Sequence, residues 1–197
     1  MPTMIDVPNE ASTDVSYAYK ASLVGAAHRF ELTPQGLSWH IAGRSGVWPY
    51  ADIGAIRLSY RPVSMQSRRF RADIGNAAGG RIAILSTSWQ SATLMAPQDG
   101  YRAFIIALHA RMAQAGSQAR LTGGLGPRVY AAAIGLLALV ALAMFGLLVR
   151  ALATGEFAGA LFLVGFAALF AWQVGGFVRR NRPLTYSFDH LPNALLP

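Results

Sequence analysis

The sequence predicts an α+β fold: an antiparallel β-barrel or sandwich capped by one C-terminal amphipathic helix, then a two-helix transmembrane hairpin. Three observations carry this reading. Residues 17–87 alternate apolar and polar with period two, in short runs separated by turn signals. From Pro97 the apolar spacing becomes that of a helix. Two long apolar runs follow, Tyr130–Val149 and Phe157–Val178, broken only at Arg150–Glu156. The 197 residues then divide into an arm (1–16), a domain (17–116) whose closing helix spans 97–115, a linker (117–128), membrane helices over 129–150 and 157–178, and a tail (179–197).

In chain order, Tyr17–Leu32 reads as two strands broken near Gly25–Ala27, and Thr33-Pro34-Gln35-Gly36 as a turn. Leu37–Ile41 alternates as a half-buried strand, and Gly43–Gly46 is a hairpin turn. Val47-Trp48-Pro49-Tyr50 begins another strand, at an edge or bulge because of Pro49. Ala55–Tyr60 puts Ile56, Leu58 and Tyr60 on one face and Arg57, Ser59 and Arg61 on the other. After a turn over Pro62–Ser67, Arg69–Ile74 sets Phe70, Ala72 and Ile74 against Arg69, Arg71 and Asp73. A glycine-rich turn, Asn76–Gly80, leads into Arg81–Thr87. Short strands at hairpin spacing suit a sheet that curls on itself. Tyr101, Phe104, Ile105, Leu108 and Met112 then form one apolar stripe, with Pro97 suited to the first helical position and Gly116 to the stop.

Each apolar run has the length a helix rising about 1.5 Å per residue needs to cross roughly 30 Å of hydrocarbon. Gln173 is the one strongly polar side chain in them. Arg120 and Arg128 precede the hairpin, and Arg179, Arg180 and Arg182 follow it, while Arg150 in the loop is offset by Glu156. The positive-inside rule places both termini in the cytoplasm. Ala131 and Gly135 on the first helix, and Ala167, Ala171 and Gly175 on the second, recur at a spacing of four and are candidates for helix–helix packing.

Net charge is +8, carried almost wholly by arginine, which fits an anionic cytoplasmic leaflet. The absence of cysteine excludes disulfides and thiolate metal sites. Residues 1–16 lack the basic and apolar regions of a secretory signal and read as a flexible arm.

Phe30-Glu31-Leu32-Thr33-x-x-Gly36-Leu37, Trp48-Pro49-Tyr50-x-Asp52-Ile53, the strand Ala55–Tyr60 and the helix Pro97–Ala115 together resemble the pleckstrin-homology-like (PH-like) fold, and in particular bacterial PH-like domains attached to membrane helices. The resemblance covers about Tyr17–Ala115 and implies a bacterial inner-membrane protein with a cytoplasmic interaction module. Eukaryotic PH domains hold phosphoinositides on a basic loop between their first two strands. Here the arginines surround a later turn, so that site is not carried over.

The arginines in question, Arg57, Arg61, Arg68, Arg69 and Arg71, are the candidate contact for anionic lipid headgroups; the alternative is a solvated outer strand face. His28, His40, His109 and His190 show no metal-ligand spacing, and Ser86–Ser91 holds no nucleophile-elbow sequence. Gly123, Gly124 and Gly126 lack a phosphate-loop lysine and read as linker. No helix-turn-helix, RNA-reading motif or long basic run points to nucleic acid. No catalytic, metal or cofactor residues are assigned. The expected partners are the bilayer, anionic headgroups, and a protein partner or a second copy. The expected role is non-enzymatic assembly or binding at the membrane. The alternative is an accessory subunit of a transporter or membrane enzyme, docked through its hairpin.

Overall fold

The computed structural model describes residues 15–62, 68–90 and 95–197. Val15 and Ser16 already belong to the first strand, and the rest of the expected arm lies outside the described residues. Strands β1 (Val15–Tyr19), β2 (His28–Thr33), β3 (Gly36–Ile41) and β4 (Arg44–Trp48) form an antiparallel meander in that order. Alternation selects the inner face: Tyr17, Tyr19, Phe30 and Leu32 are buried, while Ala18, Arg29 and Glu31 between them are exposed. The β3–β4 turn is the two-residue kind, with φ of 47° at Ala42 and 78° at Gly43, whose twist matches that of the strands it joins. Trp48 ends a strand where the sequence suggests a start. Pro49 has no N–H for the ladder, and the chain leaves through a 3-10 turn at Tyr50–Asp52.

A second sheet begins with β5 (Ile53–Tyr60), β6 (Phe70–Asn76) and β7 (Arg81–Leu85), antiparallel neighbours. Ile56, Leu58, Ala72, Ile74, Ile82 and Ile84 face the core. Strands β8 (Thr87–Trp89) and β9 (Met95–Pro97) pair separately. The sheets do not close into a barrel. The edge of β7 is met by hydroxyls instead: Tyr17 donates to the Leu85 carbonyl at 2.5 Å and Tyr19 to that of Ala83 at 2.7 Å. Burial pushes the Tyr19 hydroxyl up to about 12, so it remains a donor at neutral pH.

Helix α1 (Tyr101–Gln114) starts later than the expected 97–115, because Pro97 is taken by β9 and Gly100 stands before the first turn. Its buried stripe is the expected one with His109 added. Phe104 lies 5.7 Å from Tyr17 and 6.4 Å from Phe30, centroid to centroid, which seats α1 on the first sheet.

The segment 117–128 is not a free linker. Arg120–Gly123 forms β10, parallel to β5, with Leu121 buried. The chain then runs through α2 (Pro127–Ala153) and α3 (Phe157–Arg180) and returns to the domain. Leu184–Thr185, as β11, pairs antiparallel with β10, completing the order β11-β10-β5-β6-β7. Leu195 and Leu196 are buried in the core cluster. The hairpin is therefore an insertion between two adjacent strands of one sheet.

Helices α2 and α3 are both long and apolar enough to cross a membrane, and neither apolar window is buried inside the chain. The less exposed positions recur every three or four residues: Tyr130, Ala133, Leu137, Val140, Met144 and Leu148 on α2, and Ala160, Leu163, Ala167, Phe170, Val174 and Phe177 on α3. Of the expected packing residues, Ala167 lies on this seam, and with Ala171 it lines a groove between the helices. Ala131, Gly135 and Gly175 are exposed, and nothing lies within 4 Å of a Cβ built on either glycine. A strict spacing of four advances about 40° per step, so it drifts off a seam that averages about 3.5 residues per turn.

The tail is fastened at His109, which is buried on α1. Its Nδ1 lies 2.7 Å from the Ile105 carbonyl and must donate to it, which leaves Nε2, 3.1 Å away, to accept from the Tyr186 hydroxyl. Burial holds this imidazole below its ordinary value, more than the bond to Ile105 raises it. An unfolded histidine takes its proton near pH 6.5, roughly. The folded ring resists, so stability is complete above that pH and falls as pH drops towards the lowered value. His28, lowered by burial beside Tyr19, contributes in the same direction. The thermal midpoint in detergent is expected to fall between about pH 7 and pH 5. His109→Gln should be less stable at neutral pH yet show a shallower acid decline; an equally steep decline would mean His109 does not set it.

Candidate functional site at the hairpin junction

The ladder between β10 and β5 ends where the Gly124 N–H bonds the Leu58 carbonyl at 2.8 Å. Two residues further along β5, Tyr60 still has an N–H and a carbonyl to satisfy on that side. Asn181, fully buried just past α3, supplies both. Tyr60 N–H donates to Asn181 Oδ1 at 3.1 Å, and Asn181 Nδ2 donates to the Tyr60 carbonyl at 2.8 Å. The side-chain amide acts as one peptide unit of an added strand. The Asn181 carbonyl in turn accepts from the Leu125 N–H at 2.9 Å, tying the start of α2 to the end of α3. Gly124, at φ 77°, lies so close that a Cβ would collide with the carbonyls of Asn181 and Arg182. The Arg180 guanidinium lies 5.0 Å above the Tyr60 ring, a cation–π contact that draws the last turn of α3 to the same residue.

The five arginines singled out by sequence do not form one group. Directly opposed residues share a face of a sheet. Across β10, β5, β6 and β7, one outer row therefore holds Arg120, Ala55, Gly75 and Arg81. The next holds Thr122, Arg57, Asp73 and Ala83, and the next Ser59, Arg71 and Leu85. Arg61 and Arg69 continue this face beyond Tyr60, where the Arg61 N–H bonds the Arg69 carbonyl at 2.8 Å. The face thus carries arginines on each of its strands, interspersed with small residues and Asp73. Arg71 is bound to Asp73, with Nε at 2.7 Å and Nη2 at 2.5 Å from one carboxylate oxygen. The others lack an acidic partner among the described residues. Burial, followed by the nearby charges of Arg71 and Arg61, pulls Arg69 below its ordinary value. Arg81 and Arg120 were missed because their rows depend on pairings that period-two patterning does not reveal.

Arg68 turns the other way, with the parity of buried Phe70, into a cleft of about 690 Å³ at the hairpin end of the core. Arg102, Arg179 and Arg180 line it too, with Asp99, the start of α1 and tail residues Asn193 and Leu196. Arg102 is fixed by Asn193 Oδ1 at 2.9 Å and the Pro197 carbonyl at 3.1 Å. His40 and His190 are exposed, on β3 and in the tail, away from this cleft's lining. Among the described residues no three His, Cys, Asp or Glu side chains are grouped to hold a metal ion.

Replacing Asn181 by Ala strands a buried N–H and a buried carbonyl on Tyr60. A loss of about 2–4 kcal/mol is expected for two such groups, read as a lowered thermal midpoint of the full chain in detergent. Asn181→Asp keeps an acceptor for the Tyr60 N–H but turns a carboxylate oxygen on its carbonyl, so it should not rescue. A midpoint unchanged in both variants would mean that solvent replaces the pairing without cost. No protein-family model, curated protein or solved structure matches this chain.

Proposed function

We propose that this chain is a membrane-anchored, non-enzymatic interaction module: a PH-like domain held at a bilayer by a two-helix span, presenting its arginine face to an anionic surface. The order of a four-strand meander, a three-strand antiparallel run and a closing helix supports the PH-like part of this reading. The pairing of β10 with β11 across the hairpin supports a topology in which both flanks lie on one side of the membrane. The arginines at both hairpin ends favour the cytoplasmic side of a bacterial inner membrane.

The observation that carries the proposal is the junction. Asn181, Gly124 and Arg180 lock the hairpin to the Tyr60 end of β5, which places Arg61 and Arg69 beside the anchor and Arg57 within reach of Gly126. Each arginine near an anionic surface contributes roughly 1 kcal/mol. Arg71, neutralised by Asp73, is discounted. Arg81 and Arg120 lie six residues along the strand from Arg61, or about 20 Å, beyond a Debye length. A second reading, the accessory subunit, is favoured by the outward placement of Ala131, Gly135 and Gly175, which are free to meet another helix.

The test compares nanodiscs of zwitterionic lipid with discs containing anionic lipid. The anionic lipid should raise the thermal midpoint of the full chain. A variant carrying Arg57→Gln, Arg61→Gln and Arg69→Gln should lose most of that gain, as should the native chain in about 1 M salt. Equal midpoints in both lipids would sink the headgroup reading. Loss of a co-purifying complex in Gly135→Leu with Gly175→Leu would favour the subunit instead.

A further inference from the structure

The cleft at the end of the core belongs to neither the outer arginine face nor the hairpin seam. It is assembled from five separate parts of the chain: Arg68 and Phe70 at the start of β6, Ser86 after β7, the start of α1, the last turn of α3 and the tail. Four guanidinium groups line it, against one acidic side chain, that of Asp99. Two of them are held in place before any ligand arrives, Arg180 over Tyr60 and Arg102 by Asn193 and Pro197. The other two, Arg68 and Arg179, are exposed, and neither has an acidic partner among the described residues. The first intrahelical bond of α1 is from the Phe104 N–H to the Gly100 carbonyl, so the amides of Tyr101 and Arg102 have no helical acceptor. No described side chain caps that turn, and no acidic residue stands in it. A helix N-terminus facing clustered arginines is a site for a tetrahedral oxyanion.

The position narrows the source. Arg179 and Arg180 are the last residues of a helix apolar enough to span, so they stand at its polar end. We infer that the cleft holds the phosphate of an anionic glycerophospholipid, one molecule per chain, with its acyl chains beside α3. This inference rests on reading the hairpin as a membrane span. It is independent of the outer arginine face, because none of Arg57, Arg61 or Arg69 lines the cleft.

The experiment counts lipids. The full chain is reconstituted with phosphatidylcholine and phosphatidylglycerol, gently extracted, and weighed by native mass spectrometry. Native protein should retain one phosphatidylglycerol in preference to phosphatidylcholine. Arg68→Gln with Arg179→Gln, at two exposed positions, should retain it roughly 30-fold less well, the product of two contacts of about five- to sixfold each. Ala194→Glu removes no existing contact but sets a carboxylate in the cleft lining, and should have the same effect if the double variant folds poorly. Arg81→Gln with Arg120→Gln, on the far rows of the outer face, should retain lipid like the native chain. Unchanged retention in both cleft variants overturns the inference, as does equal loss in the outer-face variant. Displacement of the lipid by millimolar inorganic phosphate would assign the cleft to a free anion and overturn the lipid source. Should Arg57→Gln, Arg61→Gln and Arg69→Gln together show no midpoint effect, this count still decides the cleft by itself.

Discussion

One amide pair sets the geometry of this molecule: the Asn181 side chain against the backbone of Tyr60. A buried backbone donor or acceptor without a partner costs a large share of a domain's stability, so a sheet cannot end inside a protein without something to meet it. β10 leaves the ladder at Gly124, one rung short of Tyr60. Asparagine carries both the donor and the acceptor that a strand would offer, and only its position just past α3 lets it serve there. Because that rung is filled by the residue after a helix, the helix axis is tied to the strand. Arg180, the return of the tail to β10 and the seating of Leu195 and Leu196 all follow from that tie.

The charge distribution follows from the same frame. Like charges on one face repel, and a single aspartate in the middle row offsets only its neighbour. A face with this excess has a standing electrostatic affinity for any anionic surface brought near it. The junction brings the Tyr60 end of the sheet to the anchor, so proximity costs the domain no further loss of freedom. With the hairpin read as a membrane span, the usual entropic cost of association is met when it enters the lipid.

Local pattern was legible in the sequence where it decides structure by itself. Strands β1 to β3 and β5 to β7 follow the alternation of residues such as Tyr17/Tyr19 and Ile56/Leu58, and the buried stripe of α1 follows the 3.6-residue period, whereas β4 takes up most of the expected turn Gly43–Gly46. The apolar runs announce α2 and α3 by length alone. What stayed hidden depends on partners distant in sequence. Arg120–Gly123 has the composition of a linker and becomes a strand only because β5 offers it an edge. Ala131 and Gly135 have the right spacing for packing but lie on the wrong side of the seam, which the larger residues Leu137, Val140 and Met144 occupy. Of the candidate arginines, their outward direction on β5 and β6 was readable from parity. The separation of Arg68 from the rest was readable too, since it shares parity with Phe70, but only once the strand's first residue was known. Asn181 carried no signal at all: an asparagine between arginines after an apolar run looks like a helix stop.

The insertion of the hairpin between β10 and β11 has a consequence for biosynthesis. A ribosome delivers β10 well before β11, and the two are separated by both apolar helices. The sheet edge, the Asn181 rung and the places of Leu195 and Leu196 stay unfilled until the second helix has turned back. If the hairpin spans a membrane as proposed, a chain that inserts only one helix strands its tail on the opposite side, where it cannot reach the domain. On that reading, correct membrane topology is converted into a folded or unfinished domain, a difference that proteases sensing exposed core can read without any dedicated receptor.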